Sequence, residues 1–194
     1  VDEITAKLEN TLEESKIIAK AVNRTRDMVN TPPADFYPKV MAKKAKKIAQ
    51  NLKLDIRVEG EDFLKDNGMN AMLSVGRASI HESQLIHLTY KPKDAIKKVV
   101  LVGKGLTYDS GGLSLKPADF MVTMKADKSG GCAVLSTVWA IAKLGLPIEV
   151  HGIVGAVENM IGGDAYKPDD VLKAKNGKTI EVRSSFPRNG TKFA

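Results

Sequence analysis

Cysteine occurs once in the 194 residues, at Cys132, so no internal disulfide can form. Its flanks, Gly131, Ala133 and Val134, read as those of a small packed thiol in a reducing compartment, which points to the cytoplasm. Long apolar runs are also lacking. Val99 to Val102 and Ile148 to Val157 fall far short of the ~20 residues that a helical membrane span requires, and no membrane partner is expected. The chain opens Val1-Asp2-Glu3-Ile4, without an initiator Met and without the basic and apolar stretches of a secretory leader. No phosphate loop of the form Gly-x-x-x-x-Gly-Lys-Ser/Thr occurs. The three histidines, His81, His87 and His151, lie on no metal-binding spacing and read as surface or core residues. Internal repeats and low-complexity linkers are absent.

What is present fits one folded domain. Hydrophobic residues make up 43% and charged residues 27%, near the globular averages of about 45–50% and 25%. The length lies inside the usual single-domain range of up to about 250 residues. A net charge of +7 raises the possibility of a nucleic-acid partner. Part of it, however, comes from Arg183, Arg188 and Lys192 in a C-terminal stretch without acids, and part from Lys39, Lys43, Lys44, Lys46 and Lys47, spaced as the solvated face of a helix. Nucleic acid is therefore not the expected partner.

Helical periodicity runs from Asp2 to about Val29 and stops before Pro32-Pro33, a turn that the two prolines make rigid. A second helix is expected from Pro38 to Gln50, a strand from Leu54 to Val58, and a short helix from Glu61 to Asn67 closed near Gly68. Leu85 to Tyr90 and the β-branched run from Lys98 to Val102 read as strands, the second buried on both faces. Gly103, Gly105, Gly111 and Gly112 then suggest a constrained loop from Lys104 to Lys116. A helix from Ala126 to Leu144 and a strand from Pro147 to about Val157 follow. Strand, loop, helix and strand imply an α/β fold with a mostly parallel, mixed sheet flanked by helices, and ligands in such sheets gather at the carboxyl ends of strands.

The loop region is rich in Lys and Asp: Lys104, Asp109, Lys116, Lys125 and Asp127. Asp109-Ser110-Gly111-Gly112 mimics the nucleophile loop of trypsin-like proteases, but those are all-β and this chain is not. A Ser114/Lys116 dyad is a minor alternative. Two carboxylates at one strand end repel unless a cation lies between them, and a divalent metal meets that need. Spacing alone leaves a metal pair and a rigidifying Lys/Asp salt-bridge cluster both open.

The wording of the sequence narrows this further. Val102-Gly-Lys-Gly-Leu-Thr-Tyr-Asp-Ser-Gly-Gly-Leu-Ser-Leu-Lys-Pro117, followed by Met124-Lys-Ala-Asp127, resembles the signature of the dinuclear-metal leucyl aminopeptidase (cytosol aminopeptidase, M17-type) family. Asn30 to Asp35, Ala156 to Met160 and Tyr166 to Asp170 match in order. The resemblance implies that residues 1–182 are the N-terminal portion of the family's catalytic domain, without the smaller domain that precedes it, and that 183–194 form a basic tail foreign to the family. It implies two divalent metal ions, Mn²⁺ or Zn²⁺, with Lys104, Asp109 and Asp127 as ligands, Lys116 as the catalytic lysine that polarises the peptide carbonyl, and Met124 as a wall of the pocket for the first side chain. It further implies peptide substrates with leucine-type preference and, as in family members, homohexamers. One departure within the motif is Lys128-Ser129, where many members have Met-Gly. A second follows Val182: Phe186 and Arg188 stand where the family has an Asp and a Glu ligand, and Gly190 where it has an arginine. From this the chain as given is expected to be impaired, with a non-catalytic or DNA-binding remnant as the alternative.

Overall fold

The structure, a computed structural model, describes residues 2–183. The first helix, α1 (Asp2–Asn30), leads through a 3-10 turn (Pro33–Asp35) into α2 (Pro38–Leu52). Then come β1 (Asp55–Glu59), α3 (Glu61–Asp66), α4 (Asn70–Gly76), β2 (Gln84–Tyr90) and β3 (Lys98–Asp109). After α5 (Ala118–Met121) a 3-10 helix (Met124–Lys128) runs straight into α6 (Ser129–Leu144), followed by β4 (Glu149–Asn159), β5 (Val171–Lys173) and β6 (Thr179–Glu181). The boundary of α2 is set by chemistry that the sequence shows. Pro38 sits in the first turn, where its missing N–H is no loss, and Lys53 takes the left-handed conformation (φ 53°) that ends the helix.

Four strands form one sheet in the order β1-β2-β4-β3, and β5 with β6 form a separate hairpin. The mixed α/β class holds. Parallel pairing, however, is confined to β3 with β4, while β1–β2 and β2–β4 are antiparallel, so the expectation of a mostly parallel sheet is met at one junction. The parallel pair is the one joined by a helical crossover, which parallel strands require, with α6 between β3 and β4.

One face of the sheet is sealed by helices. Met41, Ala45, Ile48 and Ala49 of α2 and Leu135, Val138 and Trp139 of α6 join Ile86, Leu88, Val150 and Val154 in the buried core. Cys132 is in this layer and fully buried, and that burial pushes its thiol up to about 12, as expected for a packed rather than reactive cysteine.

The expected loop from Lys104 is corrected here: β3 continues to Asp109. Gly103 and Gly105 are strand residues, and their density reflects close packing, not a loop. A Cβ on Gly103 would lie 2.7 Å from the carbonyl oxygen of Gly130 and 2.8 Å from the Cα of Gly131. Glycine inside a strand often marks such an approach of backbone to backbone. The short α4 and α5 and the β5–β6 hairpin were not anticipated.

Candidate functional site

The carboxyl end of β3 is where charge collects. Lys104 and Asp109 are five positions apart, so in a regular strand they would point to opposite faces. The register prevents this. Leu106 is opposite Val157 and Asp109 opposite Asn159, so three residues of β3 advance against two of β4. That extra residue is a β-bulge, a device that re-aims side chains at sheet rims. It carries Asp109 to the face of Lys104, away from the α6 side that Gly103 occupies.

Beyond the bulge the chain doubles back. Gly111 (φ 90°) and Gly112 (φ 61°) adopt left-handed backbone, and a Cβ on Gly111 would lie 2.5 Å from the oxygen of Ser114, so only glycine fits. The Lys116 N–H donates to the Ser110 carbonyl at 3.0 Å, which returns the Lys116 side chain to Asp109. Lys116 Nζ lies 2.9 Å from Asp109 Oδ2, and the two side chains are only 6% and 5% exposed. The other oxygen, Oδ1, accepts from the Gly111 N–H at 3.0 Å and from Asn159 Nδ2 at 2.7 Å.

A second ion pair joins the 3-10 helix to the strand. Lys104 Nζ is 2.9 Å from Asp127 Oδ1, with side chains 37% and 22% exposed. The helix that carries Asp127 is pinned from behind. Lys125 Nζ donates to the Asn30 carbonyl at 3.1 Å, and Lys128 Nζ to the carbonyls of Thr31 (3.1 Å) and Lys125 (2.7 Å). Lys128 is fully buried and lies 4.9 Å above the Phe36 ring. Two ammonium groups thus sit at the carboxyl end of α1, where the helix dipole favours cations. That is how the distant Asn30-to-Asp35 segment contributes to the site. Burial lowers the Lys128 ammonium from its ordinary value.

All four charged residues expected from the sequence are therefore found on or against β3, as two lysine–aspartate pairs. Met124 opens the 3-10 helix that bears Asp127. Phe186, Arg188 and Gly190 lie outside the described residues. Asn159 and Tyr166 were visible only as members of matching motifs. Asn159 Nδ2 also approaches the Tyr166 hydroxyl at 3.4 Å, and burial and then the Asp109 charge raise the Tyr166 phenol above its ordinary value. The signal that would have singled out Asn159 is its register opposite Asp109, which no local reading reveals.

Lys104 also borders a mainly apolar groove of about 640 Å³ on the same face, with Met69, Met72, Leu106 and Val157 among its walls. With this geometry in view, similarity to known proteins is decisive. The sequence profile of the cytosol aminopeptidase family, catalytic domain, matches residues 23–185. The chain belongs to the cytosol aminopeptidase family. A probable cytosol aminopeptidase of Wolinella succinogenes is 62% identical over 177 residues, covering 91% of this chain and 37% of that protein. The apo structure of leucyl aminopeptidase from Trypanosoma cruzi superposes with a TM-score of 0.87 at 38% identity, covering 89% of this chain and 34% of that one. That of Trypanosoma brucei, solved in complex with bestatin, gives 0.86 at 35% identity, again over 89% and 34%. The chain thus spans little more than a third of the length of the relatives it matches.

At the far end of the same sheet lies a different polar cluster. His87 Nε2 is 2.9 Å from His151 Nδ1, and His151 Nε2 is 2.8 Å from Glu149 Oε1. Among the described residues no three of His, Cys, Asp and Glu are placed to hold a metal ion together. A metal at the Asp109/Asp127 end would rely on a lysine nitrogen as well as carboxylates. Likewise among the described residues, no helix is long and apolar enough to cross a membrane.

Proposed function

We propose that this chain carries part of the active site of a metal-dependent aminopeptidase that releases N-terminal residues, with leucine-type preference, from peptides in the cytoplasm. The observation that carries this reading is the pair of lysine–aspartate contacts of 2.9 Å each, assembled by a bulge, a glycine turn and a pinned 3-10 helix in a member of this family. The donors suit the group. Asp109 and Asp127 offer carboxylate oxygens and Lys104 an amine nitrogen, and the Oδ1 of Asn159 is a further buried oxygen beside Asp109 without a hydrogen-bond partner. Oxygen and amine donors of this kind fit Mn²⁺ or Zn²⁺.

In this reading Lys104, Asp109 and Asp127 hold the divalent ions, two per site. Such ions, when bound, would supply Lewis-acid chemistry: a site for the substrate's free amine and a water of lowered pKa. The chain's own residues do the rest. As a ligand Lys104 would offer its amine nitrogen to an ion in place of its contact with Asp127. Lys116, in a nearly water-free position, would present its amine end to the peptide carbonyl, where it stabilises negative charge as the carbonyl is attacked. Met124 supplies an apolar wall for the first side chain. Assembly into hexamers, as expected from the family, completes the proposal.

Phe186 and Arg188, standing where the family has acidic ligands, remove two negative charges and add a positive one. The chain as given is accordingly a weak metal binder and a poor catalyst. The test is hydrolysis of leucyl p-nitroanilide by a version with Asn-Thr-Asp-Ala-Glu-Gly-Arg at 184–190 and the rest of a relative's catalytic domain appended. Metal-dependent turnover, lost in Lys116→Ala with metal content unchanged, supports the assignment. Turnover that survives Lys116→Ala, or that needs no metal, refutes it.

A further inference from the structure

Asn159 ends β4 directly opposite Asp109 across the bulge, and the rest of the turn is built around it. Its backbone carbonyl accepts from the Ser110 N–H at 3.0 Å and from the Ser110 hydroxyl at 2.8 Å. Its side chain is packed so closely that a Cβ on Gly112 would come within 3.0 Å of its Oδ1. The residue is 2% exposed. Its amide donates 2.7 Å to Asp109 Oδ1, while its own Oδ1 has no partner.

This is an unusual arrangement for a buried amide. An orphaned buried acceptor costs about 1–3 kcal/mol. Turning the amide over would bring Oδ1 to 2.7 Å from a carboxylate oxygen and repel it, so Asp109 dictates the orientation and the orphan is its consequence. We propose that Asn159 is a positioning residue for metal capture: by engaging Oδ1 of Asp109 together with the Gly111 N–H, it leaves Oδ2, the oxygen now facing Lys116, as the one presented to the ion. Sidechains that orient a metal ligand in this way typically contribute about 10–100-fold to metal affinity. The inference rests on the metal-site reading above.

The test is Mn²⁺ titration of the chain itself, followed by water-proton relaxation, alongside urea unfolding of each variant. Asn159→Leu fills the same volume, removes the donor and removes the orphan acceptor. Its folded fraction is expected to bind Mn²⁺ about 10–100-fold more weakly, whatever the change in its unfolding midpoint. Asn159→Ser, which keeps a donor with room for a bridging water, is expected to recover part of the affinity. A structural role alone would lower stability and leave the affinity of the folded fraction unchanged, and that result overturns the proposal. Asp127→Asn separates the two levels of the argument. If it abolishes binding while Asn159→Leu binds like the wild type, only this inference falls. If Asp127→Asn binds like the wild type, or a version restored to Asn-Thr-Asp-Ala-Glu-Gly-Arg at 184–190 takes up no Mn²⁺, the metal-site reading falls and this inference with it.

Discussion

The two lysine–aspartate pairs are alike in chemistry and in length, both 2.9 Å, yet differ in burial: 6% and 5% exposure for Lys116 and Asp109 against 37% and 22% for Lys104 and Asp127. The difference arises from what each is tied to. Asp109 and Lys116 belong to one glycine turn folded on to Asn159, so they are enclosed by their own loop. Asp127 rides on a 3-10 helix at the edge strand and meets Lys104 from outside. A pair shut away from water cannot lose one partner without stranding a charge, whereas a half-exposed pair contributes little to stability and can exchange its partner. In the proposed function both lysines yield their aspartates to metal ions, and the buried one can do so only as an ion takes its place.

Breaking the buried pair should have the largest effect. Asp109→Leu takes the buried carboxylate from the Lys116 ammonium and is expected to cost about 3–5 kcal/mol in urea unfolding. Moving the helix that brings Asp127 should come next. Gly103→Ala places a methyl 2.7 Å from the Gly130 carbonyl and forces α6 and the preceding 3-10 helix outward, for an expected loss of about 1–3 kcal/mol. This variant should disturb Lys104–Asp127 while sparing Lys116–Asp109, so the Lys116 ammonium resonance should shift little in NMR. Removing the exposed pair directly should be nearly silent. Asp127→Asn is expected to change stability by about 0–1 kcal/mol, whereas a cost near that of Asp109→Leu would erase the contrast.

The smallest effect concerns the cluster at the opposite end of the sheet. Hydrogen bonds from His151 and Lys98 hold the Glu149 carboxyl down to about 2. Because the folded value is depressed, the stabilisation is present above the ordinary value of 4.5 and is lost as pH falls towards about 2. Glu149→Gln should therefore flatten the fall of the urea midpoint across that window, and an unchanged slope would show that this network contributes nothing to acid stability.

The parts of this site legible in the sequence were those written in residue identity. Lys104, Asp109, Lys116 and Asp127 stood out as charges among glycines, and the crossover through α6 followed from the order of elements. What escaped depended on contacts distant in the chain. Gly103 and Gly105 looked like loop residues because nothing local says that Gly130 and Gly131 lie against them. The bulge that turns Asp109 to the face of Lys104 exists only as a mismatch of register with β4. Lys125 read as one more site charge, and its bond to the Asn30 carbonyl shows that it anchors the site from behind. Lys128, a departure from the family's wording, proved to be part of the same anchor.

Most direct for the central claim is Mn²⁺ affinity compared between the wild-type chain, Lys104→Met and Lys116→Met. If Lys104 is a ligand and Lys116 a charge reserved for the substrate, Lys104→Met should bind markedly more weakly, while Lys116→Met should bind at least as well as the wild type, having lost a cation that competes for Asp109. Equal loss in both variants, or loss in Lys116→Met alone, would contradict the division of labour between the two pairs.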